Sequence, residues 1–531
     1  MNTWVKTGLR GAIGITLIVA LAACGGGGGK GNKLFGGGGS DEPIADWQSG
    51  VFPASSQLAA SCALPRSGTD INGNSFADKS GTAADEKMWL RSWSDELYLW
   101  YSEIPDQNPA SYGVAEYFDE LKTTQLTPSG AAKDNFHFSV PTDEWLLLSQ
   151  SGISSGYGAR WAIENTDPRT IRVVYTEPGS PAAIAGLERG AELLTVDGVS
   201  VTSTSAAGVD TLNAGLFPSA SGESHQFIVI DLGASESRSV TLNSADVTSI
   251  PVQFTQTFTT DSHTVGYLLF NDHIATAEAG LFTAINTLAD ANVTELIIDM
   301  RYNGGGFLAI ASQLAYMVAG STATSGRVFE SLQFNDKNPN TNPVTGGDLT
   351  PTPFIDQTID FSLSAGQPLP TLNLDRVVVI TGSGTCSASE AVINGLRGVD
   401  IDVIQIGKTT CGKPYGFYAA DNCGTSWFSI QFQGVNDKGF GEYPDGFAPA
   451  NSSDAFGVSV PGCDVSDDLG HAFTDPEERR IAAALTYLET GSCPSTLASK
   501  PGLQKLDEGD ADLHLLGGSP ALQNRIMKVL P

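Results

Sequence analysis

Residues 382–398 read GSGTCSASEAVINGLRG, directly after the β-branched run DRVVVI at 375–380. A strand running through a Gly/Ser turn into a helix is the unit of a parallel sheet, so this stretch decides the fold. Ala388, Ala391, Val392, Gly395 and Leu396 fall on one helix face. Ser387 and Glu390 fit a capping box, in which each side chain satisfies an orphan amide of the other. A Ser at that turn also stands where helix N-terminal amides stabilise an anion, a usual setting for a nucleophilic hydroxyl. Outward from it the pattern repeats: TVGYLLF (264–270), TAEAGLFTAINTLADA (276–291), TELIIDM (294–300) and FLAIASQLAYMVA (307–319) alternate strand with helix. Alternation of this kind predicts right-handed crossovers and a largely parallel sheet with ligands at the carboxyl ends of its strands. Ser387 lies at one such end and RYNGGG (301–306) at another, where glycines permit close backbone approach and amides aimed at a substrate.

A Ser hydroxyl needs a base to take its proton. Of the six histidines (137, 225, 263, 273, 471 and 514), only His273 falls at a strand end of the same sheet. Lys413, 26 positions after Ser387 in the turn of DVIQIGKTTCGKPYGF (402–417), is the alternative. Burial against the sheet would lower its pKa enough to make it a base near neutral pH. GISSG at 152–156 matches the Gly-x-Ser-x-Gly nucleophile elbow, yet strand patterns follow it where a helix is required, which argues against Ser154.

The remaining chain divides by pattern. Trp89, Trp93, Leu97 and Tyr101 recur every fourth residue, predicting a packing face in a small helical domain at 84–148. Residues 150–248 read as short strands around SPAAIAGLERGAELLTVDG (180–198), a stretch that resembles a PDZ domain. That resemblance implies a carboxylate-binding loop at GYGAR, hence Gly156, Tyr157, Gly158 and Ala159, with the bound peptide added as an extra strand. The Thr-, Asn- and Pro-rich stretch 321–373 is longer than an ordinary connection and reads as a lid or substrate-binding insert. Residues 249–460 are the expected catalytic core, and 461–531 a C-terminal helical extension whose helix begins at Asp475-Pro476. The fold class is therefore α/β multidomain: an N-terminal helical domain, a PDZ-like β domain, and a mixed, largely parallel α/β core.

In order, NGGG, SASE and GKTTCGK resemble the carboxyl-terminal processing, or tail-specific, proteases, exported Ser-Lys serine peptidases with a PDZ domain ahead of the core. The likeness spans roughly residues 85–450 and includes DGFAP (445–449). It implies Ser387 as nucleophile, Lys413 as general base, and backbone amides of Ala388 and Gly305 as the oxyanion hole. It also implies cleavage of protein segments recognised through unstructured C-terminal tails, without a cofactor or metal. Phe417 stands where the family commonly has a Gln assisting the Lys, so a peptide-binding scaffold that has lost catalysis is the competing reading.

The first residues, MNTWVKTGLRGAIGITLIVALAAC, carry two cations, an apolar stretch and small residues before Cys24. LAAC resembles a bacterial lipobox, which implies a signal peptide at 1–23, lipidation at Cys24 and a Gly-rich tether at 24–45. Gly25, where an inner-membrane protein would tend to have Asp, implies anchoring to the outer membrane on the periplasmic side of the cell envelope. Removing residues 1–23 takes the formal charge from −30 to −32, which argues against a nucleic-acid partner. Six cysteines remain after Cys24, an even number in a compartment that permits disulfides; Cys411 with Cys423, bracketing an expected hairpin, is the pairing favoured, and Cys386 and Cys411 flank the two catalytic candidates.

Overall fold

The computed structural model describes residues 47–166, 168–494, 513–516 and 525–527. The signal peptide, Cys24 and the tether lie outside the described residues. Among those described, no helix is long and apolar enough to cross a membrane.

The core is a six-stranded sheet in the order Val252–Thr259, Thr264–Phe270, Glu295–Asp299, Arg376–Thr381, Asp402–Gly407 and Gly462–Asp464. Only the first pair is antiparallel; the other four are parallel. Its strands are apolar at successive positions because both faces are covered. Leu296, Ile298, Val377 and Val379 join one buried cluster with the helices Ala277–Asp290, Leu308–Thr324 and Ala388–Gly398. Ile297, Val378, Ile380, Ile404 and Ile406 join another with the helix Arg479–Thr490. The expected α/β core is thus present, with its crossovers where the periodicity placed them.

Residues 461–494 carry the expected helix, as Arg479–Thr490 ended by Gly491 and capped by Glu478 instead of Asp475, and they pack as part of this core. Gly462–Asp464 is its edge strand, and Asp467 and Glu478 meet Arg301 at 2.9 and 2.8 Å. Three residues are too few to carry a strand periodicity, so only sheet pairing could identify them.

The unit at 150–248 forms a sheet in the order Arg238–Asn243, Ser224–Ile230, Glu192–Val196, Arg169–Thr176 and Ala159–Thr166, with His514–Leu516 added as the outermost strand, and closed over the helix Ala206–Leu216. Ser154 lies in the strand Ile153–Gly156, paired antiparallel with Ala245–Thr248, so no elbow exists there.

The N-terminal helical segment also reaches into the core. Trp89 and Trp93 stack at 5.4 Å in the helix Ala83–Leu97, as the four-residue spacing predicted. Phe138–Pro141, however, pairs with Thr425–Phe428, and Tyr98, Phe136 and Trp145 share a cluster with Cys386, Tyr415 and Phe417. The insert 321–373 is laid down by buried Glu278, whose carboxylate accepts from the amides of Ile359, Phe361, Ser362 and Leu363.

Among the described residues, three disulfides join Cys62 to Cys423, Cys386 to Cys411, and Cys463 to Cys493. The expected Cys411–Cys423 bridge is not formed. Cys423 sits at the hairpin turn after Ala420–Asn422 and faces the distant N-terminal segment, while Cys411 lies beside the Ser387 turn.

Buried His137 stacks on Phe118 at 3.7 Å, and its Nε2 lies 2.8 Å from the Phe118 carbonyl oxygen. Burial lowers its pKa, with Asp134 acting in the opposite direction. Its folded state resists the charge that the unfolded chain accepts. The stability linked to it is full above about pH 6.5 and is lost as the pH falls toward the lowered folded value. Denaturant unfolding across this range should show His137→Gln with an acid limb shallower by up to one proton; an identical slope would contradict this account.

Candidate functional site

Thr381 ends a central parallel strand, and the turn after it delivers Ser387 in an uncommon conformation, φ 64° and ψ −116°. For a non-glycine residue this costs about 1–3 kcal/mol and persists only where the surroundings impose it. Those surroundings are hydrogen bonds to the RYNGGG loop and the residue before it: Cys386 N–H and Ser389 Oγ–H both donate to the Asn303 carbonyl, at 3.1 and 3.0 Å, and Thr385 Oγ1–H donates to Met300 O at 2.8 Å. The capping box is half made. Glu390 accepts from Ser387 N–H at 2.8 Å, but Ser387 Oγ is buried without a hydrogen-bond partner among the described residues. The hydroxyl is thus held at a helix start and left chemically uncommitted. Ala388 follows as the first helical residue, where a backbone N–H has no acceptor within its own helix.

Lys413 is fully buried, its Nζ 4.3 Å from the centre of the Phe417 ring and 4.8 Å from that of Phe136. Its loop is tied to the Ser387 turn twice. Cys411 is bonded to Cys386. Glu390 accepts from the amides of Gly412 and Lys413, each at 2.9 Å, and from the Thr410 hydroxyl at 2.6 Å. Burial pushes the Glu390 carboxyl above its ordinary value, and these donors pull it back without reversing the shift. The sequence shows Glu390 only as a cap; nothing local announces that its carboxylate also holds the Lys413 loop. Cys386, Glu390 and Cys411 lie close enough to suggest a metal cluster, but the two sulfurs are bonded to each other and offer no thiolate.

On the facing side, His273 organises the glycine loop. Its N–H donates to Gly305 O at 3.2 Å, its carbonyl accepts from Phe307 N–H at 2.7 Å, and its Nδ1 lies 3.0 Å from Asn303 Oδ1. Gly305 N–H is itself donated to Asn303 Oδ1 at 3.0 Å. The amide expected to face a substrate is therefore already taken. Because Gly305 and Phe307 bond toward His273, the intervening Gly306 turns its N–H to the opposite edge. Gly306 has φ 143°, and an added Cβ would sit 2.4 Å from His273 O, so only glycine fits.

Of the predicted peptide-binding residues, Tyr157 is inside its unit's core, edge-on to Phe227 at 5.5 Å, and Gly158 packs too tightly on Ser180 to carry a side chain. The Tyr157 and Gly158 carbonyls accept from Ala182 and Glu177 amides. Gly156 and Ala159 bracket this turn at the ends of the strands Ile153–Gly156 and Ala159–Thr166.

Residues 264–416 match the model of peptidase family S41. The chain is 24% identical over 278 residues to a carboxyl-terminal-processing protease of Picosynechococcus, covering 50% of this chain and 56% of that protein. It is 24% identical over 327 residues to carboxyl-terminal-processing peptidase 1 of Arabidopsis thaliana, 61% of this chain and 59% of that one. The chain thus spans a little over half the length of these curated relatives. A Bacteroides fragilis crystal structure assigned to the S41 proteases shares the fold, with TM-score 0.56, 21% identity and coverage of 76% of this chain and 97% of that chain. The resemblance read from NGGG, SASE and GKTTCGK is borne out by these matches.

Glu390→Ala would leave buried amides at Ser387, Gly412 and Lys413 without their acceptor. At about 1–3 kcal/mol per stranded group, equilibrium denaturation should record a loss of at least about 3 kcal/mol. A loss under about 1 kcal/mol would show that the carboxylate does not hold the two loops together.

Proposed function

We propose that this chain is an exported serine endopeptidase in which Ser387 is the nucleophile and Lys413 the general base. The observation that carries the reading is an uncommitted, fully buried Ser387 hydroxyl on a strained strand-to-helix turn, with a buried Lys on a loop bonded to that same turn. Ser387 Oγ attacks the carbonyl carbon of a peptide bond and passes its proton to Lys413 Nζ. Charge developing on the carbonyl oxygen is taken by the amide of Ala388 and by the glycine loop, where Gly306 replaces Gly305 because the Gly305 N–H is bound to Asn303. Lys413 then gives the proton to the departing amine, and water releases the acyl group. Phe136 and Phe417 pack on the Lys amine, Phe417 from the position where the family commonly has a Gln.

Substrates are unfolded or C-terminal peptide segments of periplasmic proteins, taken up by the 150–248 unit in the manner of a PDZ domain. The support is that the strand Ala159–Thr166, which follows the GYGAR turn, already takes an added antiparallel strand, His514–Leu516, on the side away from Arg169–Thr176. The chain works without a cofactor and is anchored through lipid at Cys24 to the outer membrane, facing the periplasm.

Phe417 favours one competing reading, a peptide-binding scaffold of the same fold without catalysis. Cleavage of an unfolded casein-like substrate by wild type, Ser387→Ala and Lys413→Ala across pH separates the two. Ser387→Ala should lose at least about 10⁴-fold and Lys413→Ala about 10³-fold in kcat/KM, with wild-type activity rising as the pH increases. Tail-peptide affinity with no acyl-enzyme, or turnover indifferent to Ser387, would defeat the enzyme. Wild type should incorporate labelled fatty acid and Cys24→Ser should not; a wild-type chain that takes up no label shows that the lipid anchor is wrong.

A further inference from the structure

The edge that would accept a substrate strand is already covered, and by this chain. His514–Leu516 pairs antiparallel with Ala159–Thr166, setting His514 opposite Ile163, Leu515 opposite Ala162 and Leu516 opposite Trp161. The side chains alternate as an added strand requires. Leu513 and Leu515 join the cluster on the core sheet, and Leu516 packs on that of the 150–248 unit. Leu515 also lies against Gly384, three residues before Ser387, where even a Cβ would come within 3.1 Å of its Cδ1.

Eleven positions further on, the same segment meets the cleft. Arg525–Met527 runs parallel to Gly305–Phe307, with Ile526 opposite Gly306. This is the edge to which Gly306 turns its amide, since the other edge is bonded to His273. On its remaining sides the strand approaches the helix that begins after Ser387 and the residues Tyr415–Gly416 just beyond Lys413.

We infer that the C-terminal segment of this chain is an intramolecular occupant of its own substrate path, holding the peptide-accepting edge through His514–Leu516 and the cleft edge through Arg525–Met527, so that a substrate tail binds by displacing it. The inference rests on the proposed peptidase reading for what the path carries, but not for the occupancy itself. A tethered strand competes at high effective concentration, so even a weak occupant suppresses binding of dilute peptides.

The test uses the full chain carrying Ser387→Ala, which cannot cut the segment, with and without Leu515→Pro and Ile526→Pro. Proline supplies no ladder N–H and cannot stay in an added strand. Thermal unfolding reports that the rest of the fold is intact. Amide hydrogen exchange at Trp161–Ile163 and Gly306 should be at least ten-fold faster in the proline chain, and a synthetic peptide of residues 512–531 should restore protection. In the Ser387 background, the two prolines should raise kcat/KM on a short disordered peptide at least five-fold, through KM. Unchanged exchange, or an active enzyme with unchanged kcat/KM, overturns the inference. If neither chain cuts any peptide, the peptidase reading fails and exchange alone decides the occupancy.

Discussion

The site depends on one buried carboxylate. Glu390 gives one oxygen to the amides of Ser387 and Lys413 and the other to Gly412 and Thr410, so a single side chain sets two loops from different strand ends against each other. A carboxylate taken from water is costly unless such donors surround it, and here four converge. Because each donor belongs to a turn that delivers a candidate side chain, the arrangement cannot relax in one loop without disturbing the other. The Cys386–Cys411 bond repeats this connection covalently.

A second tie sets the glycine loop. The Asn303 carbonyl receives the Ser387 turn, while its side chain joins His273 and the Gly305 amide. Arg301, two residues earlier, is buried among Asp299, Asp467 and Glu478. Burial works against the charge on Glu478, but Arg301 outweighs it and holds that carboxyl below its ordinary value. The loop is therefore anchored at its start by residues from the far end of the core. Its middle is left with only one direction in which to present an amide.

The N-terminal and C-terminal parts complete what the central sheet begins. Phe136 closes over Lys413 from the helical segment, and Phe417 does so from the loop after it. The C-terminal residues lie along the edge strand of the 150–248 unit and along the glycine loop. The two described C-terminal stretches thus pair with the strand after the GYGAR turn and with the glycine loop beside Ser387.

The amino-acid sequence by itself determined the parallel α/β core, the Ser387 turn, the glycine loop and the Trp89–Trp93 face. Each is written in the spacing of residues that are neighbours along the chain, and strand and helix periods are local properties. It also contained every group of the proposed site, including Lys413, although burial of that Lys is not visible in a turn composition. Only the tertiary structure decided that Cys411 pairs with Cys386 and that Gly306 rather than Gly305 turns outward. It also made Glu390 a bridge as well as a cap, and residues 461–494 part of the sheet. These depend on which distant segments meet when the sheet closes, and hydrogen-bond partners and neighbouring sulfurs across a core leave no period in the sequence to read.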